Sequence, residues 1–388
     1  MTATDTNDPA ASESGRGPLT GTLVIDVSTL GPGPYASMML ADFGADVIEI
    51  RRPGVQEIDT SGLFSRGKRV LTVDLRSVGG AELIARLTDN ADVFLEGYRP
   101  GTMERRGLGP DVLMARNPRL VYTRLTGWGQ SGPYAGSAGH DINYVSVGGP
   151  LGAIGSREPV PALNLLGDFA GGSAPAVLGT VMALLARHST GVGQVVDAAM
   201  VDGASYLMFA QLAQLTRGEW HGRGTSFLSG VAPYYTVYQC ADGGWFSVGA
   251  IEARFYAELV SALGLDVELV RSQHDRATWP RVRTLIGEVF AARPRDHWTR
   301  VFAGSDACAY PVLELSELAG DPHLAARRQV SVQGATVTVQ PAPRLSRTPG
   351  HAGDPDRAAQ TDPTALLAER GLSASEIDRF RESGALQF

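Results

Sequence analysis

"TLVIDVSTLGPGPYASMMLADFGADVIEIRRPG" (residues 22–54) is the stretch that decides the fold class. Thr22–Val27 and Asp46–Arg51 are short apolar runs typical of buried strands. Between them, Pro34–Phe43 carries apolar residues at helical spacing. A strand, a helix and a second strand in this order predict a βαβ unit with two parallel strands.

The same alternation continues along the chain. Apolar runs predict strands at 69–75, 92–98, 120–127 and 193–200, and helical patterns predict helices at 79–91, 111–120 and 168–188. Buried strands alternating with helices are typical of a mostly parallel sheet covered on both faces. The sequence therefore predicts an α/β protein with a Rossmann-like large domain.

The pattern changes near Tyr234, where "PYYTVYQCADGGWFSVGAI" predicts an antiparallel hairpin turning at Asp242–Gly244. Three helical segments follow it, which indicates a smaller α+β domain. The predicted organisation is a disordered tail at 1–18, a large domain at 19–220, a small α+β domain at 234–315, and a return segment with a C-terminal helix at 316–388.

Composition excludes several classes of protein. A net charge of -7 over 388 residues argues against a nucleic-acid surface, so an anionic partner must meet a local basic cluster. The N-terminal tail lacks the apolar run of a signal peptide, and no stretch has eighteen or so unbroken apolar residues, which predicts no membrane span. The chain's two cysteines, Cys240 and Cys308, predict free thiols and a cytoplasmic location.

A local basic cluster lies in the first third of the chain. It comprises Arg51, Arg52, Arg66, Lys68, Arg69, Arg76, Arg99, Arg105 and Arg106. The seven histidines show no metal-binding spacing, so no metal and no redox cofactor is predicted.

The turn "GPGPYA" also matches the dinucleotide-binding pattern G-x-G-x-x-A, with Glu49 at the end of the next strand. The match is weak because Pro32 and Pro34 remove two backbone N–H groups from the loop that would hold a pyrophosphate. A nicotinamide enzyme is therefore the less favoured interpretation.

Two residues are candidates for acid/base chemistry. His140 lies in "SAGHDINYVSVGG", and Asp168 precedes a helix of small residues in "NLLGDFAGGSAPAVLG". At that position Asp168 is expected to cap the helix, and the unpaired N–H groups beside it are candidate donors to an oxyanion.

Ten stretches resemble, in order, those of the α-methylacyl-CoA racemases of the class III CoA-transferase (CaiB/BaiF) superfamily. They are GPGPYASMMLADFGADVIEIRRPG, RGKRVLTVDLRS, EGYRPGTMERRGLGP, TRLTGWGQSGP, GHDINY, NLLGDFAGG, GQVVDAAMVDG, VAPYYTVYQCADG, VGAIEARFY and SDACAYPVLEL. The resemblance covers residues 19 to about 350. It implies a Rossmann-like large domain, a small domain, and two chains interlocked as a homodimer with the active site between the domains of different chains.

The resemblance also implies roles for individual residues. His140 and Asp168 would flank the α-carbon of a bound acyl thioester, and Glu252 would support His140. The acyl-CoA is the substrate, and its CoA would be bound by Arg52, Val73, Asp74, Leu75, Arg76, Gly97, Tyr98, Arg99, Arg105, Gly139, Asp141, Ile142, Asn143 and Tyr144.

The implied reaction is inversion of a 2-methylacyl-CoA centre through an enolate. Removing an α-proton and returning one to the opposite face needs two acid/base groups of matched strength, which an imidazole and a carboxylate supply. The alternative within the superfamily is CoA transfer, with Asp168 as the nucleophile. A diverged enolate-type reaction or a CoA-binding role on the same scaffold also remains open.

One segment departs from the family pattern. Racemases of this family read Asn-Met-Leu-Asp-Gly-Gly-Ala-Pro where this chain has "SFLSGVAP" (Ser226–Pro233), so that Ser229 replaces an acid and Val231 a glycine. The resemblance places this stretch near the acyl end of the site. The identity of the acyl group therefore stays open.

Overall fold

The computed structural model describes residues 17–29, 31–54, 63–334 and 336–387. The chain divides into two compact units. As far as they are described, the larger unit contains Met1–Gly148, Ala162–Leu207 and Ser331–Phe388, and the smaller unit contains Gly149–Pro161 and Met208–Val330. Most of the predicted N-terminal tail, residues 1–16, lies outside the described residues.

The strands lie close to the positions expected from apolar runs. They are β1 (Leu23–Asp26), β2 (Asp46–Arg51), β3 (Arg69–Val73), β4 (Val93–Glu96), β5 (Val121–Thr126), β6 (Val195–Ala199), β7 (Tyr235–Gln239), β8 (Trp245–Gly249), β9 (Ala309–Val312), β10 (Val330–Gln333), β11 (Thr336–Val339) and β12 (Leu386–Gln387).

The large sheet has the order β12-β3-β2-β1-β4-β5-β6. Strands β1 to β6 pair in parallel, whereas β12 pairs antiparallel with β3, with Leu386 opposite Val73. The strand order reverses between β1 and β4. In open α/β sheets ligands bind at such a reversal, beyond the carboxyl ends of the strands.

Both faces of the large sheet are buried. Ile25, Ile48 and Phe94 pack on one face with residues from the helices near the C-terminus, and Val24 and Val47 pack on the other. Each of these five side chains has a relative exposure of 0%. Two buried faces explain why the strands have continuous rather than alternating apolar residues.

Helices cover the sheet and connect its strands. The first five α-helices belong to the larger unit: α1 (Pro32–Asp42), α2 (Val78–Thr88), α3 (Thr102–Arg105), α4 (Pro110–Arg116) and α5 (Asp141–Gly148). The next helix, α6 (Pro150–Ala153), belongs to the smaller unit. The chain then returns to the larger unit with α7 (Ala174–Thr190) and α8 (Met200–Leu207). A π-helix, Leu165–Ser173, leads directly into α7. Short 3-10 turns lie at Leu63–Ser65, Phe227–Ser229 and Leu315–Gly320.

The smaller unit has a three-stranded antiparallel sheet in the order β7-β8-β9. Its hairpin turns where expected, with the Cys240 N–H donating to the Gly244 carbonyl over 2.8 Å. The smaller unit also contains α9 (Phe209–Thr216), α10 (Ala253–Ala262), α11 (Glu268–Arg271), α12 (Trp279–Ala291), α13 (Arg295–Val301) and α14 (Pro322–Ala326). The last two helices, α15 (Pro363–Glu369) and α16 (Ala374–Glu382), belong to the larger unit. The predicted α/β class, with a mostly parallel large sheet and a smaller domain, is confirmed.

The unit boundaries differ from those expected along the sequence. Residues 149–161 and 208–220 group with the smaller unit, although they lie within the predicted large domain. The return to the larger unit begins at Ser331 rather than at residue 316. The chain passes between the units several times, and such crossings are set by tertiary contacts that leave no local signal in the sequence.

One helical run bears on the expectation that the chain has no membrane span. Among the described residues, the π-helix and α7 together (Leu165–Thr190, 26 residues) are long and apolar enough to cross a membrane by length and composition alone. A core helix of a soluble protein passes the same test, so this finding is weak evidence for a span.

Candidate active site

The candidate residues of the larger unit lie at the carboxyl edge of the parallel sheet, where the strand order reverses. The loop after β1 leads through Gly31 into α1, and Gly97 follows β4 directly. A Cβ atom built on Gly97 would lie 3.3 Å from the Leu125 carbonyl oxygen and 3.7 Å from Ser28 Cβ. The ends of β1, β4 and β5 therefore meet closely at this point.

Asp168 lies within the π-helix rather than at the start of an α-helix. The expected N-cap role is wrong, because the helix begins at Leu165 with Asn164 as its N-cap residue. Glycines allow close packing here: a Cβ on Gly171 would lie 2.8 Å from the Ala204 backbone nitrogen on α8. Wide π-helical turns are rare and often occur at functional sites.

The Asp168 carboxyl group is partly buried. Asn164 Nδ2 donates to its Oδ2 over 3.5 Å, and a Cβ on Gly31 would lie 3.5 Å from the same oxygen. Burial raises the pKa of Asp168, and the negative charge of Asp141 raises it further, whereas the charge of His140 lowers it. The structure thus brings His140 and Asp168 within electrostatic range of each other.

Asp141 is buried and accepts hydrogen bonds from the backbone of the π-helix. Its Oδ2 accepts hydrogen bonds from the N–H groups of Gly167 and Asp168, each over 2.7 Å. These are two of the amides that the sequence suggested as oxyanion donors, and in the structure Asp141 occupies them. That part of the prediction is corrected.

His140 is exposed and immediately precedes α5. Its backbone N–H donates to Asn143 Oδ1 over 3.0 Å. Tyr144 is buried, its hydroxyl donates to the Gly139 carbonyl, and its ring packs edge-on against Trp128. Asn143 and Tyr144, predicted to bind CoA, therefore hold the loop that carries His140.

Four of the predicted CoA ligands lie beyond the ends of β2 and β4: Arg52 follows β2, Tyr98 and Arg99 follow β4, and Arg105 ends α3. Arg52 Nε donates to the Tyr98 hydroxyl over 3.2 Å, and the guanidinium carbon of Arg106 lies 5.8 Å from the Tyr98 ring centre. The charge of Arg99 acts on the Tyr144 hydroxyl, lowering a pKa that burial raises. Arg105 is exposed and donates to Thr102 Oγ1 over 3.2 Å. Arginine side chains thus gather around Tyr98 at this edge of the sheet.

The segment at the end of β3, which was predicted to bind CoA, has two buried side chains and one exposed arginine. Val73 and Leu75 are buried in the core, and the Asp74 N–H donates to the Ala385 carbonyl beside β12. Arg76 is exposed and donates to Asp74 Oδ1 through its backbone N–H over 3.0 Å. The side chains of Val73 and Leu75 therefore face the core, and the expected contact of this segment with CoA stays a prediction.

Part of the basic cluster has a structural role. Arg66 pairs with Asp42, and Arg69 pairs with Asp46 and Glu369. Lys68 is fully buried, with Nζ donating to the Pro34 carbonyl over 3.0 Å. These three residues of the predicted basic cluster therefore pair with carboxylates that lie elsewhere along the chain.

Two buried carboxylates complete the surroundings of Lys68. Its Nζ lies 3.1 Å from Glu49 Oε2 and 3.6 Å from Asp26 Oδ2. Lys68 therefore holds the first turn of α1 against the ends of β1 and β2. Lysine is rare in this arginine-rich chain, and this rarity is the one signal in the sequence that could have singled out Lys68.

Glu96 is a further residue that sequence reasoning missed. It ends β4, is fully buried, and accepts the Tyr98 N–H at Oε2 over 2.6 Å and Arg124 Nε at Oε1 over 2.8 Å. Burial raises its pKa to about 7. Glu96 thereby fixes the turn from which Tyr98 and Arg99 project. An acid ending an apolar strand was the available signal.

Glu252 belongs to the smaller unit, where it is exposed and precedes α10. Its negative charge raises the pKa of Cys308 beyond the effect of burial, so the two side chains are neighbours. Its expected support of His140 stays a prediction.

The divergent segment Ser226–Pro233 forms a short 3-10 turn at Phe227–Ser229. Ser229 and Val231, which depart from the family pattern, line a cavity of about 1020 Å³ in the smaller unit. Arg283 and Cys308 line the same cavity. The departure in sequence therefore alters a cavity wall, and Val231 also packs against the core of the smaller unit.

No group of three or more histidine, cysteine, aspartate or glutamate side chains in the described part of the chain is arranged to hold a metal ion. The chemical groups of the described site are the acid/base side chains and the arginine guanidinium groups.

The chain belongs to CoA-transferase family III, whose model matches residues 19–361. It is 42% identical over 366 residues to the alpha-methylacyl-CoA racemase of Homo sapiens, and the match covers 92% of this chain and 95% of that protein. It is 41% identical over 384 residues to the alpha-methylacyl-CoA racemase of Mus musculus, and the match covers 95% of this chain and 99% of that protein.

A solved structure of a CAIB/BAIF family protein from Brucella suis is 26% identical, with a TM-score of 0.76, and covers 92% of this chain and all 100% of that one. The predicted membership of this superfamily, and the predicted similarity to its racemases, which are isomerases, are confirmed.

Proposed function

We propose that the protein is an α-methylacyl-CoA racemase that inverts the α-carbon of a 2-methylacyl-CoA, with His140 and Asp168 as its two acid/base groups. The observation that carries the proposal is geometric: Asp141, the chain neighbour of His140, accepts the backbone N–H of Asp168 over 2.7 Å, so the two candidate residues lie in one place. The similarity to racemases over more than nine tenths of the chain supports the same reaction.

The reaction moves one proton off the α-carbon and returns another to the opposite face. In one direction the base form of one residue takes the proton while the acid form of the other donates. The efficiency of both steps depends on acid/base groups of similar strength, and each such group contributes a rate factor of about 10² to 10⁴. The raised pKa of Asp168 brings its carboxyl closer in strength to an imidazole.

The enolate oxygen needs donors other than the Gly167 and Asp168 amides, which Asp141 occupies. The first N–H groups of α5, at Asp141 and Ile142, directly follow His140. The first four N–H groups of a helix have no partner within it, and donors of this kind typically contribute about 10² to 10³ in rate. We assign the oxyanion to this helix start.

CoA acts as the handle of the substrate. Arg52 follows β2, and Tyr98 and Arg99 follow β4, on the two sides of β1, while Arg105 and Arg106 come next along the chain. Guanidinium groups bind phosphates through charge-assisted hydrogen bonds, and this remote binding energy positions the reacting end of the substrate.

CoA transfer is the second candidate, favoured by the family that the chain belongs to. In that reaction the Asp168 carboxylate attacks the thioester carbonyl, the C–S bond breaks, and a mixed anhydride forms while CoA leaves as a thiolate. His140 would have no proton to move in this step.

The experiment follows α-deuterium in D₂O with each enantiomer of a 2-methylacyl-CoA. Incorporation without an acceptor acid supports the racemase, and CoA moving to a free acid without label supports the transferase. His140→Ala and Asp168→Ala are expected to abolish inversion. His323→Ala and Asp111→Ala, at exposed positions, are the matched controls. Full exchange of both enantiomers by either site variant would refute the two-base assignment.

We also propose that the chain acts as a homodimer. Leu178, Val181, Met182 and Leu185 form one stripe along α7, each between 39% and 72% exposed. A large exposed apolar stripe indicates a protein interface. Light scattering of the purified protein tests this: a dimer is expected, and Leu185→Glu is expected to weaken it. A monomer at micromolar concentration would contradict the proposal.

A further inference from the structure

Asp141 links the two candidate acid/base residues through the backbone. It is the first residue of α5 and the chain neighbour of His140, and its side chain reaches the π-helix that carries Asp168. It has a relative exposure of 7%, so its carboxylate is largely out of contact with solvent.

The contact is specific in geometry. One oxygen, Oδ2, accepts two consecutive N–H groups, those of Gly167 and Asp168, at 2.7 Å each. A Cβ atom on Gly167 would lie 2.6 Å from that oxygen, which only glycine avoids. Two short bonds to a charged acceptor fix the backbone of Asp168 relative to α5.

We propose that Asp141 is a positioning residue that holds Asp168 against His140, rather than a ligand of CoA; this inference rests on the proposed racemase function. Because one peptide bond joins His140 to Asp141, the bonds from Asp141 to the π-helix set the separation of the two acid/base side chains. A misplacement of about 1 Å can lower a rate by about 10²-fold.

Asp141 also sets the electrostatic surroundings of Asp168. Its negative charge and burial both raise the pKa of Asp168, and the charge of His140 opposes them. Tyr144 on α5 also faces the group, since the Asp168 charge raises the pKa of that hydroxyl. A neutral residue at position 141 therefore lets Asp168 ionise at lower pH.

The test compares Asp141→Asn with wild type. Asparagine keeps an acceptor oxygen but loses the charge. The expected result is a drop in kcat for α-proton exchange of about 10-fold or more with little change in KM, together with a shift of the Asp168 titration to lower pH. The titration is followed by ¹³C NMR of the carboxyl groups, with Asp168→Asn to assign the signal and Asp111→Asn as the exposed control.

The outcomes separate this inference from the proposed function. A raised KM with unchanged kcat, or an Asp168 titration that does not move, overturns the positioning role. A wild type that exchanges no proton, with a titration that still moves in Asp141→Asn, refutes the racemase and keeps the inference. If Asp141→Asn does not fold, Gly167→Ala decides: lower kcat at constant KM supports the inference, and wild-type kcat overturns it.

Discussion

Arg52 and Tyr98 meet at the carboxyl edge of the large sheet, where Arg52 Nε donates to the Tyr98 hydroxyl over 3.2 Å and the guanidinium carbon lies 5.0 Å from the ring centre. The two residues end different strands, β2 and β4, on either side of β1. The ring therefore presents a guanidinium group at the point where the strand order reverses.

Arg52→Ala is expected to weaken the binding of free CoA by about tenfold or more, because a charged hydrogen bond contributes about 1.5 to 3 kcal/mol. Isothermal titration calorimetry at two salt concentrations measures this, and the wild type is expected to lose more affinity than the variant as salt rises. Arg379→Ala, an exposed arginine paired with Glu82, is the control. Equal affinities for the two variants would argue against a role for Arg52 in CoA binding.

Gly31→Ala is expected to slow α-proton exchange by about tenfold or more, because it places a methyl group 3.5 Å from Asp168 Oδ2. Gly31 has a φ of 39°, so alanine also strains the backbone. Gly21→Ala separates the two effects, since Gly21 has a φ of 85° and an added Cβ meets no atom within 4 Å. That control is expected to lose about 1 to 2 kcal/mol of stability and to keep wild-type exchange. A similar loss of exchange in both variants would refute the local effect.

Lys68→Met is expected to destabilise the fold by about 3 to 5 kcal/mol, because it removes the cation that the buried carboxylates of Asp26 and Glu49 share and leaves Glu49 with Arg51 alone. The free energy of unfolding in urea is the measurement. Adding Glu49→Gln to Lys68→Met is expected to recover part of the loss. Arg76→Met, whose side chain is 76% exposed, is expected to stay within about 0.5 kcal/mol of wild type. A Lys68→Met protein as stable as the control would contradict the buried ion cluster.

Glu96→Gln is expected to change how stability depends on pH. The pKa of Glu96 is about 7 in the folded protein against an ordinary value of 4.5, so between these values the folded state binds more protons than the unfolded state. Its contribution to stability is therefore present at low pH and falls as pH rises towards 7. Glutamine keeps an acceptor for the Tyr98 N–H and removes the ionisation.

Urea unfolding of wild type and Glu96→Gln between pH 4.5 and 8 checks this expectation, with the exposed Glu82→Gln as control. The difference in stability between Glu96→Gln and wild type is expected to grow in favour of the variant as pH rises. A constant difference across that range would show that Glu96 ionises normally.

Local patterns were sufficient where a segment's burial is uniform. Asp46–Arg51 was predicted as a strand with the bounds that β2 has, since an apolar run buried on both faces needs no information beyond itself. The hairpin of the smaller unit was predicted for the same reason, from turn residues between two apolar runs. His140 and Asp168 were predicted as acid/base residues from motifs that resemble those of the family.

Predictions from local patterns failed where the surroundings of a residue are set by another residue far along the chain. Asp168 was expected to cap an α-helix because small residues follow it, yet the backbone there forms a wide π-helical turn that Asp141 holds. Lys68 was grouped with the basic cluster from its position in the sequence, whereas in the structure it is buried beside Asp26 and Glu49. Charges paired in the interior have no signature in the segment that carries them.

The order of apolar runs and turns determined the α/β class, the parallel pairing of the main strands and the existence of a second unit, because burial and chain connectivity restrict strands and helices to few arrangements. The tertiary structure alone decided which carboxylates are buried, which amides they occupy and where the chain leaves one unit for the other. These features depend on distances between residues remote in sequence, and such distances exist only once the chain has folded.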